Sequence, residues 1–116
     1  MPTMMESDVT LHTDDVAVVR FTGRLDFTSA PAASKTLFTA IAAGHLKLVV
    51  DLGEVDFVDS AGLGCLIGGM RAARQSGGDL RIATPTEQVT MLLSLTSLDQ
   101  VFQIHPTVVE ALNSYA

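Results

Sequence analysis

Positive charge is scarce in this chain of 116 residues: 7 Lys and Arg stand against 13 Asp and Glu, a formal net charge of −6. That balance argues against nucleic acid as a partner and against an anionic membrane surface. Cysteine is nearly absent too. With Cys65 alone there is no intrachain disulfide. Its place between Gly64 and Leu66 suits a small buried hydrophobe better than a reactive thiol. No apolar run approaches the roughly 20 residues of a membrane span, and the first residues lack the basic-then-apolar form of a signal peptide. The expectation is a cytoplasmic protein. Several chemical motifs are also missing. There is no P-loop, G62-L63-G64 lacks the rest of a G-x-G-x-x-G, and no G-x-S-x-G elbow is present. His12, His45 and His105 fall in or beside separate expected strands, and none is placed as a base.

What is present is enough for one small core. A hydrophobic fraction of 47% with 17% charged residues describes a globular chain, not a disordered one. The length implies a single domain over 1–116 with its core at about 9–112. One stretch organises the rest: V-V-D-L-G-E-V-D-F-V-D-S-A-G-L-G, from Val49 to Gly64. Leu46, Leu48, Val49, Val50 and Leu52 predict a strand buried on both faces and ending at Gly53. An acidic turn is expected next. In it Val55, Phe57 and Val58 return to the core while Glu54, Asp56 and Asp59 stay polar. Beyond Ser60, the residues Leu63, Leu66, Ile67, Met70 and Ala73 recur on one helical face. The helix begins at Asp59 or Ser60, both of them capping residue types. Gly62 and Gly64 in its first turn cost about 1 kcal/mol each relative to alanine. Close approach by another backbone is one feature that would offset that cost.

The remaining elements follow in order. Met1–Ser7 carries no pattern, and Val9, Leu11 and His12 begin a short strand. Asp14-Asp15 turns the chain into a second strand, Val16–Thr22, so the two form an antiparallel hairpin. Gly23–Asp26 leads out. Thr28 or Ser29 starts a helix with Pro31 in its first turn and Ala33, Leu37, Phe38 and Ile41 on its buried face, and Gly44 ends it. The helix after Ser60 runs to Ser76, with Arg71 and Arg74 at its negative end and Gly77-Gly78 as the stop. Leu80–Ala83 predicts a strand. T-P-T-E over Thr84–Glu87 has the form of a capping box, opening a helix with Val89, Leu92, Leu93 and Thr96 on one face. Val101–Ile104 predicts an edge strand, and Pro106 opens a last helix through Val109 and Leu112. This order predicts an α/β fold with a mixed, mostly parallel sheet of about five strands and about four helices. Binding loops in such sheets gather at the carboxyl ends of the strands. Arg24–Thr28, Gly53–Ser60 and Ala83–Thr86 meet there, which brings Asp26 toward Ser60.

The acids Asp26, Glu54, Asp56 and Asp59 at this end admit two readings, a Mg²⁺ site or solvated turn residues and a cap. No further motif supports a metal, and no cofactor is expected. Ser60 admits two as well. On physical grounds alone it is a helix cap. It is also placed to carry phosphate, because a helix N-terminus offers free N–H groups and partial positive charge. Arg24 and Arg20 are the nearest cations by loop. A phosphate here is expected to alter a contact surface without a large internal rearrangement. Like charges brought together at an interface cost several kcal/mol, which makes a switch of about a hundredfold or more reasonable. Met91 and Leu95 fall off the main apolar face of their helix, as a partner surface or as ordinary exposed residues.

The run D-S-A-G-L-G-C over Asp59–Cys65, entered from the strand L-V-V-D-L over Leu48–Leu52, resembles the signature of STAS domains. F-T-G-R-L-D over Phe21–Asp26 is similar to the family's G-x-L-D, and the segment from Val89 to Phe102 resembles its later helix and strand. The resemblance covers Val9 to Leu112, and its nearest group is the bacterial anti-sigma factor antagonists. It implies a STAS fold. It also implies a non-enzymatic protein that binds a kinase-type anti-sigma factor when unphosphorylated and so releases a sigma factor. Phosphorylation of Ser60 by that serine kinase would end binding, and a serine phosphatase would restore it. The implied contact residues are Asp26, Asp59, Ser60, Ala61, Gly62, Leu63 and Gly64, in a monomer or weak dimer. Ala61 departs from the pattern, standing where many members carry a second Ser or Thr, and Ser97 stands where a glycine is common. Two other readings remain: a STAS scaffold or small-ligand module in which Ser60 is only a cap, and an enzyme using Ser60 as nucleophile.

Overall fold

Alternation of apolar and polar residues shapes the first hairpin in the computed structural model, which describes residues 5–116. Strand β1 (Glu6–Leu11) pairs antiparallel with β2 (Val16–Leu25), and Val16 answers Thr13 across the turn, its N–H donating to the hydroxyl at 3.2 Å. β1 begins at Glu6 and stops before His12, so Glu6 and Ser7 belong to a strand. Met1–Met4 of the patternless N-terminus lie outside the described residues. β2 runs three residues past Thr22, through Gly23 to Leu25.

Helices and strands then alternate: α1 (Ala30–Ala42), β3 (Lys47–Val58), α2 (Ser60–Gln75), β4 (Asp79–Ala83) and α3 (Glu87–Leu95). A 3-10 turn over Leu98–Gln100 then leads to β5 (Ile104–His105) and α4 (Val108–Asn113). The sheet order is β1-β2-β3-β4-β5, with every pair after the first parallel. The chain thus forms a small α/β domain with a five-stranded mixed sheet and four helices among the described residues.

The core explains the run in β3. Leu48, Val50 and Leu52 face α1, α2 and α3 in one cluster with Phe21, Leu25, Leu37, Leu66, Leu80, Val89 and Leu93. Val49 faces the other way, onto Ala111 of α4 with Val18, Leu112 and Tyr115 packed around it. A strand covered on both faces needs apolar residues in succession.

Several boundaries differ from expectation for identifiable reasons. β3 does not end at Gly53; it continues to Val58. Two residues of β3, Leu52 and Gly53, stand against Phe21 alone in β2, a bulge that bends the strand without ending it. Glu54 and Asp56 are therefore exposed strand residues, not turn acids. Phe38 was expected inside but is 46% exposed. The inward stripe of α1 is Ala30, Ala33, Leu37 and Ala40, and Phe38 lies one helical step off it. The T-P-T-E box does not form: α3 starts after Thr86, whose side chain makes no capping bond. Thr84 sits in the left-handed region at φ 51° and its hydroxyl donates to Asp51 instead. Val101 is an exposed turn residue, and the last strand is Ile104–His105. The final helix is opened by Thr107, not Pro106; its hydroxyl accepts from Glu110 N–H at 3.1 Å.

Candidate functional site

The carboxyl ends of β2, β3 and β4 deliver three connections to one end of the sheet, followed by α1, α2 and α3. The middle connection is a single residue, Asp59. Its backbone is extended (φ −108°, ψ −172°), and its carboxylate accepts Gly62 N–H at 2.9 Å. Asp59 is therefore the cap of α2, and Ser60 is the first helical residue, exposed to solvent. The cap role weighed for Ser60 belongs to its neighbour.

The Asp26 loop is bound to this turn. Asp59 N–H donates to Leu25 O at 3.3 Å, and Phe27 N–H donates to the second Asp59 oxygen at 3.1 Å. Asp26 organises its own loop: one carboxylate oxygen takes Thr28 N–H at 3.0 Å and the Thr28 hydroxyl at 2.6 Å. The Thr28 hydroxyl, with the Thr28 and Ser29 N–H groups and Arg24, holds the Asp26 carboxyl below its usual range despite some desolvation. Arg24 lies 3.4 Å from Asp26 and over the Phe57 ring at 4.3 Å. Arg20 is directed elsewhere, 3.1 Å from Asp51.

Gly62 has a reason to be glycine. A Cβ there would lie 2.1 Å from Leu25 O and 3.0 Å from a Val58 methyl, so β2 and the first turn of α2 meet backbone to backbone. Gly64 has nothing within 4 Å of such a Cβ, so close approach explains only the first of the two. Of the implied contact residues, Ser60 and Gly64 are exposed, while Asp26, Asp59 and Ala61 are half-buried. Gly62 and Leu63 are buried and shape the turn from beneath. Cys65 is buried, and that burial pushes its thiol up.

The sequence reading passed over three features. Asp51 is only 5% exposed, and its carboxylate takes the Thr84 hydroxyl, Gly53 N–H at 3.0 Å and Arg20. An aspartate inside an apolar run was the signal. The Gln88 side chain spans Val58, accepting its N–H at 3.0 Å and donating to its carbonyl at 3.1 Å, which ties α3 to the approach to Ser60. Phe27, beside Asp26, is 73% exposed. Met91 and Leu95 are exposed at 58% and 77%. Among the described residues no group of three or more His, Cys, Asp or Glu is placed to hold a metal ion, and no helix is long and apolar enough to cross a membrane.

Comparison with known proteins agrees with this architecture. The STAS domain family matches residues 9–111. The chain is 29% identical over 97 residues to the anti-sigma-B factor antagonist of Bacillus subtilis, covering 84% of this chain and 87% of that one. It is 31% identical over 100 residues to a candidate anti-sigma factor antagonist of Thermotoga maritima, covering 85% and 88%. The solved structure of an anti-sigma factor antagonist from Mycobacterium paratuberculosis superimposes with a TM-score of 0.87 at 29% identity, over 98% of this chain and 96% of that one. With the family match spanning residues 9–111, the chain belongs to the STAS domain family.

Proposed function

We propose that this protein is a cytoplasmic anti-sigma factor antagonist whose binding surface surrounds Ser60 and is switched by phosphate on that residue. In this reading the unmodified chain binds a kinase-type anti-sigma factor and frees its sigma factor. The kinase supplies ATP. The Ser60 hydroxyl oxygen attacks the γ-phosphorus, an O–P bond forms, the bond to the β-phosphate oxygen breaks, and ADP leaves. The hydroxyl proton passes to a base of the kinase. A serine phosphatase hydrolyses the ester and returns the chain to its binding form.

The observation that carries the reading is the division of labour between Asp59 and Ser60. Asp59 makes the cap, so Ser60 stands exposed at the first helical position and is not the capping residue. A serine at that position is open to a kinase and can accept a phosphate. The added group brings about −1.5 to −2 charges at neutral pH. It would stand beside Asp59 and the Asp26 loop, where Arg24 is already committed to Asp26. Charge of that size is not neutralised within the chain and is presented to the partner, where it opposes binding.

A paired capture from native lysate tests this. The baits are the unmodified chain and Ser60→Asp, both checked for folding. The expected result is an anti-sigma factor of the kinase type held by the first and lost from the second. Capture of the same proteins by both baits would refute the switch and favour a scaffold role.

A further inference from the structure

The two oxygens of Asp59 serve different parts of the chain. Oδ1 accepts Gly62 N–H at 2.9 Å and caps α2, while Oδ2 accepts Phe27 N–H at 3.1 Å from the connection between β2 and α1. The rest of that connection holds itself. Asp26 N–H donates to the Ser29 hydroxyl at 3.0 Å, Ala30 N–H to Asp26 O at 2.8 Å, and the Ser29 hydroxyl to Arg24 O at 2.7 Å. Phe27 is thus tied to the α2 side through its N–H, one residue from Ser60, and the residue is 73% exposed.

We infer that Asp59 is a clamp holding Phe27 in place next to Ser60, and that phosphate on Ser60 opens it. This rests on the reading of Ser60 as the phosphoacceptor. A phosphate there adjoins Asp59 directly in the chain and repels its carboxylate. Its oxygens also compete for the N–H groups of the first helical turn, including the one that Asp59 Oδ1 occupies. Asp59 can then no longer bridge both partners. Gly62 N–H passes to the phosphate, and Phe27 N–H passes to water. The phosphate acts twice, by its own charge and by releasing an exposed aromatic ring from its set position. The bonds internal to the loop keep the change local to Phe27.

Solvent exchange of the Phe27 and Gly62 amides, followed by NMR on the isolated chain, separates the two halves of the inference. Three proteins are compared: unmodified, carrying phosphoserine encoded at position 60, and Asp59→Asn. Asparagine keeps an oxygen for Gly62 N–H and turns an NH₂ toward Phe27, so it preserves the cap and removes the clamp. Phe27 exchange is expected to rise about tenfold or more in both altered proteins, in line with loss of one charge-assisted hydrogen bond, while Gly62 stays protected. Should Asp59→Asn fail to fold, Asp59→Ser offers one capping oxygen and takes its place. Unchanged Phe27 exchange in either altered protein would overturn the inference. A phosphorylated chain that loses its partner with Phe27 still protected overturns the clamp and leaves the proposed function standing. A phosphorylated chain that keeps its partner overturns the function, whatever Phe27 does.

Discussion

Adding one methyl group at position 62 or at position 64 should move stability in opposite directions. Alanine is the better helix former by about 1 kcal/mol, so propensity alone favours both substitutions. At Gly64 nothing opposes it, since a Cβ there meets no atom within 4 Å. Gly64→Ala should stabilise the domain by about 0.5–1 kcal/mol. At Gly62 the Cβ would fall 2.1 Å from Leu25 O and 3.0 Å from both Leu25 C and a Val58 methyl. Backbone is the obstacle, and no rotamer change relieves it. Either α2 lifts from β2 or the end of β2 shifts, and each movement strains the 3.3 Å bond from Asp59 N–H to Leu25 O. Overpacking of this kind costs about 1–3 kcal/mol, and a lost hydrogen bond adds about 1. Set against the propensity gain, Gly62→Ala should destabilise by about 1–3 kcal/mol. Urea unfolding with shared m-values reads both numbers from the midpoints. A Gly62→Ala protein as stable as the parent would refute the close approach of β2 and α2.

Ser97 occupies the left-handed region at φ 60°, before the 3-10 turn. Ser97→Gly should therefore raise stability by about 0.5–1 kcal/mol in a thermal melt, the relief of strain exceeding the entropy of glycine. A second expectation concerns acid. Desolvation pushes the Asp51 carboxyl up, but the Thr84 hydroxyl, Gly53 N–H and Arg20 outweigh it and hold it below the ordinary 3.8. A carboxyl lowered in the folded state contributes stability that is fully present above the unfolded value and is lost as pH falls through the folded one. Asp51→Asn should flatten stability against pH below about pH 4 and cost about 1–3 kcal/mol near neutrality, where a charge-assisted network becomes a neutral one. Denaturant midpoints from pH 2 to 7 would show both; an unchanged acid limb would contradict the assignment.

The α/β architecture was legible because period and punctuation agreed with each other. The apolar run at Leu48–Leu52 had to be covered on both faces, and α1–α3 and α4 cover it. Glycine pairs and helical offsets marked α2 well. The boundaries were harder where tertiary bonds override local chemistry. Gly53 looked like an end because glycine usually punctuates strands, yet pairing with β2 resumes beyond the bulge. Thr84 looked like a cap, yet Asp51, brought close only by the sheet, claims its hydroxyl. At the site, the nearness of Asp26 to the Ser60 turn followed from topology. The side-chain bond between the two loops, Phe27 N–H to Asp59, spans 32 positions and left no trace in spacing.

The most direct measurement uses the captured anti-sigma factor, purified and supplied with ATP. Phosphate should enter this chain at Ser60, mapped by mass spectrometry, and should be absent from Ser60→Ala. Calorimetry should then show the phosphorylated chain binding that partner about a hundredfold or more weakly than the unmodified one. Phosphate mapped to another residue, or equal affinity of the two forms, would contradict Ser60 as the switch.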